Sequence, residues 1–423
     1  MKKLDSEKIK AVLTRSVSSI FPSSAAFEKA LLSGKKLSIY IGVDATGPHL
    51  HLGHLTNFLW MKRMQDLEHE VILLIGDFTA MIGDPTDKMA TRQPLTEKQV
   101  KQNMRTFKEQ VSRIVSFSGR NAAHIRYNSE WYKKMTLAKF IEDLIGYFTA
   151  ENMIQRDMFT VKQILQRDMF KDRTAQGREI GLKELLYPIL QGYDGVAMDV
   201  DVEFGGNDQI FNMAIGRALR KAHSKRPGSN MKKGEKFFVA TTLLVNPRTG
   251  KKLMNKSEGG LINLDDSPKD IFGKVMALDD DSMLAVAEHW TELSLKRIAD
   301  LRSGIAVSRI NPKDVKLEIA TAVVEVIYGK EDAKKAREDW ESVFSKKELP
   351  KKMVSLKVGP GCTPTILVFH SRIAKSHGEA RRLVEQGALK INGETFNNPN
   401  RILTLNGGEV VKIGKRHFFR IKI

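Results

Sequence analysis

Three histidines fall within six residues, His49, His51 and His54, where an apolar-periodic helix should begin. His51 and His54 are three apart and can share one helical face. Such a set could hold a metal, although without a nearby carboxylate the ligand set is thin. It could also be an ordinary helix start. A third chemistry is phosphate binding, in which imidazole donors add to the unsatisfied N–H groups and positive dipole end of a helix. Gly53 would then leave room for a base or ribose against the backbone. Phosphate binding needs a second cationic element, and GKKLMNKSEGG over residues 250–260 supplies three lysines between glycines. A mobile loop of this kind can close over a triphosphate and stabilise the charge that spreads over its oxygens. Taken alone, a basic glycine-flanked loop is usually solvated surface. A third set, Tyr187, Gln191 and Asp194, is spaced i, i+4, i+7, which places all three on one face of a helix.

The elements around these residues must hold them in place. Residues 1–35 carry a weak helical stripe through Ile9, Val12, Leu13, Phe27, Leu31 and Leu32. Residues 37–43 (LSIYIGV) alternate and are β-branched, as a strand should be. A Gly/Pro turn and a helix over about 52–67 follow, and then the continuous apolar run 71–75 (VILLI), which suits a strand covered on both faces. Strand, loop, helix and strand on this spacing form a βαβ unit of a parallel sheet. Ligands in such sheets bind beyond the carboxyl ends of the strands, here at residues 42–54 and 76–86. Residues 95–190 read as mostly helical and contain the pentamer QRDMF twice, at 155–159 and 166–170, eleven residues or three helical turns apart. Residues 200–204 read as a further strand and 262–345 as a helical region. Residues 346–364 read as a linker. From 365 the tail has helical patterning to Gln386 and then short β-like runs with turns at Asn392-Gly393 and Gly407-Gly408.

Composition narrows the class. A chain of 423 residues implies about three domains, and 41% hydrophobic with 28% charged residues is ordinary for a protein with a full core. One cysteine, Cys362, excludes an internal disulfide and a cysteine-built zinc site. The N-terminal segment is too charged for a signal peptide, and no stretch approaches the roughly 18 apolar residues of a membrane span. The expected location is therefore cytoplasmic, away from any membrane. The net charge of +19 favours a polyanionic partner, since neutralising phosphates releases counterions. Residues 351–423 hold fourteen Lys/Arg against four Glu, so half of the excess sits in about a sixth of the chain. That concentration suggests a separate nucleic-acid-binding module.

HLGH followed by LMNKS resembles the HIGH and KMSKS pair of class I aminoacyl-tRNA synthetases. Over nearly the whole chain the similarity sharpens to the bacterial-type tyrosyl-tRNA synthetases. It is carried by YIGVDATGPHLHLGH (40–54), MIGDPT (81–86), YPILQGYD (187–194), EFGGNDQ (203–209) and KKLMNKSEGG (251–260). The resemblance implies a Rossmann-like α/β catalytic domain over 1–261 with a helical insertion. It further implies a helical anticodon-side domain over 262–345, the linker 346–364 and an αL-type RNA-binding module over 365–423.

The implied reaction condenses tyrosine with ATP to tyrosyl-adenylate and pyrophosphate, then transfers the tyrosyl group to the 3′-terminal ribose of tRNA(Tyr). The substrate carboxylate is itself the nucleophile, so catalysis is positioning and electrostatics. By resemblance Tyr40 and Asp194 meet the substrate hydroxyl, with Asn128 orienting Asp194. Asp84, Tyr187 and Gln191 meet the ammonium, with Thr79 nearby, and Gln209 lies near the reacting carboxylate. Asp44 borders the tyrosine and, with Thr46, His51 and His54, the phosphates. Gly53, Gly206, Asp208, Lys256 and Ser257 complete the ATP site, with Gly206 and Asp208 on the ribose. Mg2+ is expected with the ATP, with no tightly bound cofactor and no metal held by the protein itself. The family lysine that opens the second motif is replaced by Leu253, and Lys252, one residue earlier, substitutes only if the loop is re-registered.

In the tail, the stretch from Arg372 to Gly393 carries the αL-type resemblance, and Lys375, Arg381 and Arg382 suit a phosphate ridge. This stretch lacks aromatic side chains, which favours recognition of RNA shape and backbone over base stacking. The basic strip 217–236 is a lesser candidate for the tRNA acceptor arm. A homodimer is expected, as in the family. The alternatives are a tryptophan–tRNA ligase, a free nucleotidylyltransferase and a non-catalytic RNA-binding relic.

Overall fold

The computed structural model describes residues 6–85, 95–145, 168–232, 234–250, 252–254, 260–344, 353–359, 361–414 and 417–423. They form two compact units, 1–336 and 337–423. The first is built on a six-stranded sheet of β1 (Val17–Phe21), β2 (Ser38–Asp44), β3 (Glu70–Gly76), β4 (His124–Tyr127), β5 (Val202–Gly206) and β6 (Phe237–Thr241). The spatial order is β1-β6-β5-β2-β3-β4. All neighbours run parallel except β1, which closes the edge antiparallel to β6. The apolar run in β3 is buried along its length, as the continuous pattern requires of a strand covered on both faces. Helix Leu52–Asp66 is the crossover from β2 to β3, and its Trp60 stacks on Phe204 of β5 with ring centroids 3.9 Å apart.

Three strands of this unit are not legible in the sequence. β1, with two serines among five residues, lies in the stretch taken as helical; its place is an edge, where short polar strands are tolerated. β4 is a polar four-residue strand inside the stretch taken as mostly helical. β6 is fully buried, but it follows a lysine-rich run that masked it. The first QRDMF copy lies outside the described residues, as does the start of the second.

Helices Leu182–Ala197 and Ile210–Ser224 pack closely against each other beside the sheet. A Cβ built on Gly192 would sit 2.9 Å from the Gly216 nitrogen and 2.9 Å from the Ile215 side chain. The first of these helices carries Tyr187, Gln191 and Asp194, so this glycine contact sets their distance from the sheet. Helices Pro268–Met276, Met283–Trp290, Leu295–Ala306 and Pro312–Tyr328 complete the first unit. The buried Arg15 ties the second of them to the N-terminal segment by donating to the carbonyls of Ala287, Glu288, Thr291 and Leu293.

The second unit has a five-stranded sheet of β7 (Val354–Lys357), β8 (Leu389–Ile391), β9 (Glu394–Phe396), β10 (Val410–Ile413) and β11 (His417–Lys422), in the order β7-β11-β10-β8-β9. Helices Pro364–His370 and His377–Glu385 share its core with Leu389, Val411 and Ile421. β7, inside the segment read as a linker, pairs in parallel with β11.

Replacing Gly192 by alanine should force the two helices apart. Urea unfolding of the variant is expected to show a loss of about 2 kcal/mol, the usual range for overpacking a close contact.

Candidate active site

The carboxyl ends of β2, β3, β4 and β5 open on one cleft of about 850 Å³. Sixteen of the residues singled out in the sequence line it: Tyr40, Asp44, Thr46, His51, Gly53, His54, Thr79, Asp84, Asn128, Tyr187, Gln191, Asp194, Gly206, Asp208, Gln209 and Lys252. Lys256 and Ser257 lie outside the described residues. Lys375, Arg381 and Arg382 are exposed in the second unit, at and just before helix His377–Glu385.

One hydrogen-bonded chain crosses the cleft floor. The Trp131 indole N–H donates to Asp194 Oδ1 at 3.0 Å, and the Asn128 amide donates to Asp194 Oδ2 at 3.3 Å. The same amide donates to Thr79 Oγ1 at 2.8 Å, and that hydroxyl donates to Asp44 Oδ1 at 2.7 Å. The Tyr187 hydroxyl donates to the other Asp44 oxygen at 2.9 Å. Asn128 is itself fixed, since its Oδ1 accepts from the Phe78 N–H. Burial pushes the Asp44 carboxyl up to about 7, against the pull of the Thr79 and Tyr187 hydrogen bonds, and Asp84 adds to the rise. Burial likewise holds Asp194 well above the usual carboxylate range, while donors from Asn128, Tyr132 and Trp131 oppose it.

A second chain lies beside the first. Gln209 Nε2 donates to Asp84 at 2.8 Å, and the Asn212 amide donates to both Gln209 and Gln191 at 2.8 Å. The fully buried Asn212 thus couples two predicted side chains, and Trp131 orients a third. Neither residue is legible in the sequence: Trp131 acts across 63 residues, and Asn212, though three residues from Gln209, matters because it also reaches Gln191 on another helix.

The histidine pair caps helix Leu52–Asp66. His51 Nδ1 accepts the Gly53 N–H at 3.1 Å, and His54 Nδ1 accepts the His51 N–H at 3.2 Å. An imidazole that accepts at Nδ1 carries its proton on Nε2 when neutral. The Leu52 N–H donates to the Ile262 carbonyl at 2.9 Å and the His54 N–H to the His51 carbonyl at 2.8 Å. The backbone N–H groups of Leu52, Gly53 and His54 are therefore already bonded, and both rings are held with Nδ1 as acceptor.

The lysine loop is also more ordered at its start than a mobile loop would be. Asn246 accepts from the N–H groups of Arg248, Thr249 and Gly250, and the chain returns as a hairpin with Val245 paired to Lys252. That register turns Lys252 to Asp208, Nζ to Oδ2 at 2.9 Å, and brings Met254 against Gly53. By contrast, the strip 217–236 is largely committed within the fold: Arg220 and Lys236 are buried, Arg217 pairs with Glu235 and Arg226 with Asp143.

A parallel sheet with a paired-histidine helix, a lysine hairpin and two buried carboxylates is what the model of the family described as tRNA synthetases class I (W and Y) covers, over residues 32–345. The chain belongs to that family. Residues 365–411 match the S4 domain. A tyrosine–tRNA ligase of Oleidesulfovibrio alaskensis is 37% identical over 417 residues, 98% of each chain, and one of Thermotoga maritima is 34% identical, covering 97% of this chain and 96% of the relative. Among solved structures, the C-terminally truncated mitochondrial tyrosyl-tRNA synthetase of Aspergillus nidulans shares the synthetase fold at a TM-score of 0.64 and 20% identity, over 80% of this chain and 95% of that one.

In this synthetase the Asp44 carboxyl, lifted by burial, should be half protonated near pH 7. A carboxylate can balance a bound cation only while it is ionised, so such a role is lost as pH falls through its own pKa. The kcat/KM for amino-acid activation should therefore drop on the acid side with a midpoint of about 7, and binding the ammonium should release a proton there. Calorimetry in buffers of different ionisation enthalpy at pH 6.5 measures that release, and Asp44→Asn should abolish it.

Proposed function

We propose that this chain is a tyrosine–tRNA ligase, which forms tyrosyl-adenylate from tyrosine and ATP and then charges the 3′-terminal ribose of tRNA(Tyr). The observation that carries the reading is the blind end of the cleft. There Asp194 is buried with its two oxygens oriented by Trp131 and Asn128, and the Tyr40 hydroxyl is buried beside Glu203 without completing a well-aligned hydrogen bond. A phenol supplies what the pair needs, a donor for Asp194 and an oxygen for Tyr40. A site built to hydrogen-bond a hydroxyl rejects the analogue that lacks it, a discrimination of about 10⁵-fold in tyrosine-selective synthetases generally.

Asp44, Asp84, Tyr187 and Gln191 surround the position of the ammonium, with Thr79 behind Asp44, and Gln209 faces the reacting carboxylate. Thr46 and the Nε2–H groups of His51 and His54 meet the triphosphate as charge develops on it. Gly206 and Asp208 hold the ribose, and Gly53 leaves space for the nucleotide. Lys252 releases Asp208 to the ribose and turns to the phosphates, where Lys256 and Ser257 join it. Mg2+ arrives with the ATP and neutralises phosphate charge there.

Lys375, Arg381 and Arg382 form the phosphate-facing ridge of the S4 domain toward tRNA. The protein works as a homodimer, and the exposed Leu137 and Ile141, one turn apart, are apolar surface that a second copy would cover. No helix among the described residues is long and apolar enough to cross a membrane, in keeping with a cytoplasmic enzyme.

Pyrophosphate exchange with each of the twenty amino acids in turn should proceed with tyrosine alone; exchange with tryptophan would overturn the reading of Tyr40 and Asp194. Asp194→Ala should lower tyrosine-dependent exchange by about 100-fold or more, on the scale of losing a buried charged hydrogen-bond acceptor. Removing residues 346–423 should leave exchange intact and depress tRNA charging. Equal loss of both would make the second unit structural.

A further inference from the structure

Behind the blind end of the cleft lies an ion pair that the site described above does not use. Tyr40 on β2 and Glu203 on β5 are register partners of adjacent parallel strands, so their side chains stand on the same face of the sheet. Glu203 lines the cleft and is 2% exposed. Lys236, immediately before β6, reaches it with Nζ 3.2 Å from Oε2 and lies 5.9 Å from the centroid of the Tyr40 ring. Among the described residues, neither the Tyr40 hydroxyl, the Glu203 carboxylate oxygens nor Lys236 Nζ completes a well-aligned hydrogen bond. Two glycines make the space: a Cβ on Gly195 would fall 2.1 Å from Lys236 Nζ, and one on Gly216 would fall 2.9 Å from Glu203 Oε2. Burial lowers the Lys236 pKa, and the Glu203 carboxylate works against that. Burying such a pair costs several kcal/mol per ion in desolvation and is weak evidence of a stabilising role.

Counting protons shows what the pair can do. With tyrosine bound, the end of the cleft holds two carboxylates, Asp194 and Glu203, and the hydroxyl protons of Tyr40 and the substrate, beside that of Tyr132, which is given to the Leu190 carbonyl. Tyr40 has one proton and two places to send it, the substrate oxygen or Glu203. If it goes to Glu203, the phenol oxygen loses its donor and the site no longer distinguishes tyrosine from phenylalanine from that side. A bare buried carboxylate would win that competition, because hydrogen bonds to ionised acceptors are about twice as strong as neutral ones.

We propose that Lys236 is a positioning residue for amino-acid selection, neutralising Glu203 so that the Tyr40 proton is directed at the substrate hydroxyl. The proposal rests on the tyrosine reading above. It gives a role to a lysine that the sequence placed in a basic strip for RNA.

The test is pyrophosphate exchange by the full-length enzyme with tyrosine and with phenylalanine. The wild type should prefer tyrosine strongly; if it does not activate tyrosine at all, both the tyrosine reading and this proposal fall. In Lys236→Met the KM for tyrosine should rise by about tenfold or more with kcat within about threefold. Phenylalanine, which has no hydroxyl to receive the proton, should be activated as before, so the tyrosine-to-phenylalanine ratio falls by about tenfold. Adding Glu203→Gln should restore the ratio to within about threefold of wild type, since no charge is left to neutralise. Equal losses for both amino acids, or no rescue by Glu203→Gln, would make the pair structural and overturn the proposal. Should Lys236→Met alone not fold, Glu203→Gln is compared with Glu203→Gln/Lys236→Met. Equal ratios support the proposal, and a lower ratio in the double variant overturns it.

Discussion

Two carboxylates, Asp44 and Asp194, are buried in one cleft and held by a single line of donors. Trp131, Asn128, Thr79 and Tyr187 supply between them a donor to each of the four carboxylate oxygens. Buried acids are costly unless hydrogen-bonded, and burial here still raises both above the usual range. Such groups persist where a ligand completes them. On the proposed reading the ammonium and phenol of tyrosine complete the two ends of this line, and the rest of the first unit is arranged to keep the line in place.

The arrangement follows from the parallel sheet. Every strand that contributes to the cleft ends at the same edge, so residues far apart in sequence arrive together: Asp44 at the end of β2, Thr79 after β3, Asn128 after β4 and Asp208 after β5. The facing wall is one helix, Leu182–Ala197, whose depth is set by glycine contacts with the helix Ile210–Ser224. Gly216 of that contact, together with Gly195, also makes room for the Glu203–Lys236 pair. The phosphate side obeys a different constraint. The histidine turn spends its backbone N–H groups on its own imidazoles and on the segment after the lysine loop, and so presents side-chain donors in a fixed orientation. Fixed donors aimed at developing charge need no reorganisation as the reaction proceeds.

Much of this was legible before any fold was known. The βαβ unit at residues 37–75 announced itself by alternation, a Gly/Pro turn and a continuous apolar run. The spacing of Tyr187, Gln191 and Asp194 placed them on one helical face, and they do share one wall of the cleft. Less visible were β1 and β4, whose short polar edges carry no hydrophobic period, and β6, which follows a lysine-rich run. Asn212 and Trp131 were invisible for another reason: each matters through a partner at least 21 residues away.

By itself, the sequence determined the kinds of group this protein brings to its chemistry, the parallel α/β class and the separate basic tail. Composition and periodicity are local properties, and they suffice for those. The tertiary structure alone decided which charges are spent inside the fold. Lys236 and Arg220, counted as part of a basic strip, are buried against partners, whereas Lys252, one residue out of the family register, is turned by its hairpin into the cleft. The physical reason is that a charged side chain's role depends on whether water or another charge surrounds it. Only the packing of distant segments settles that.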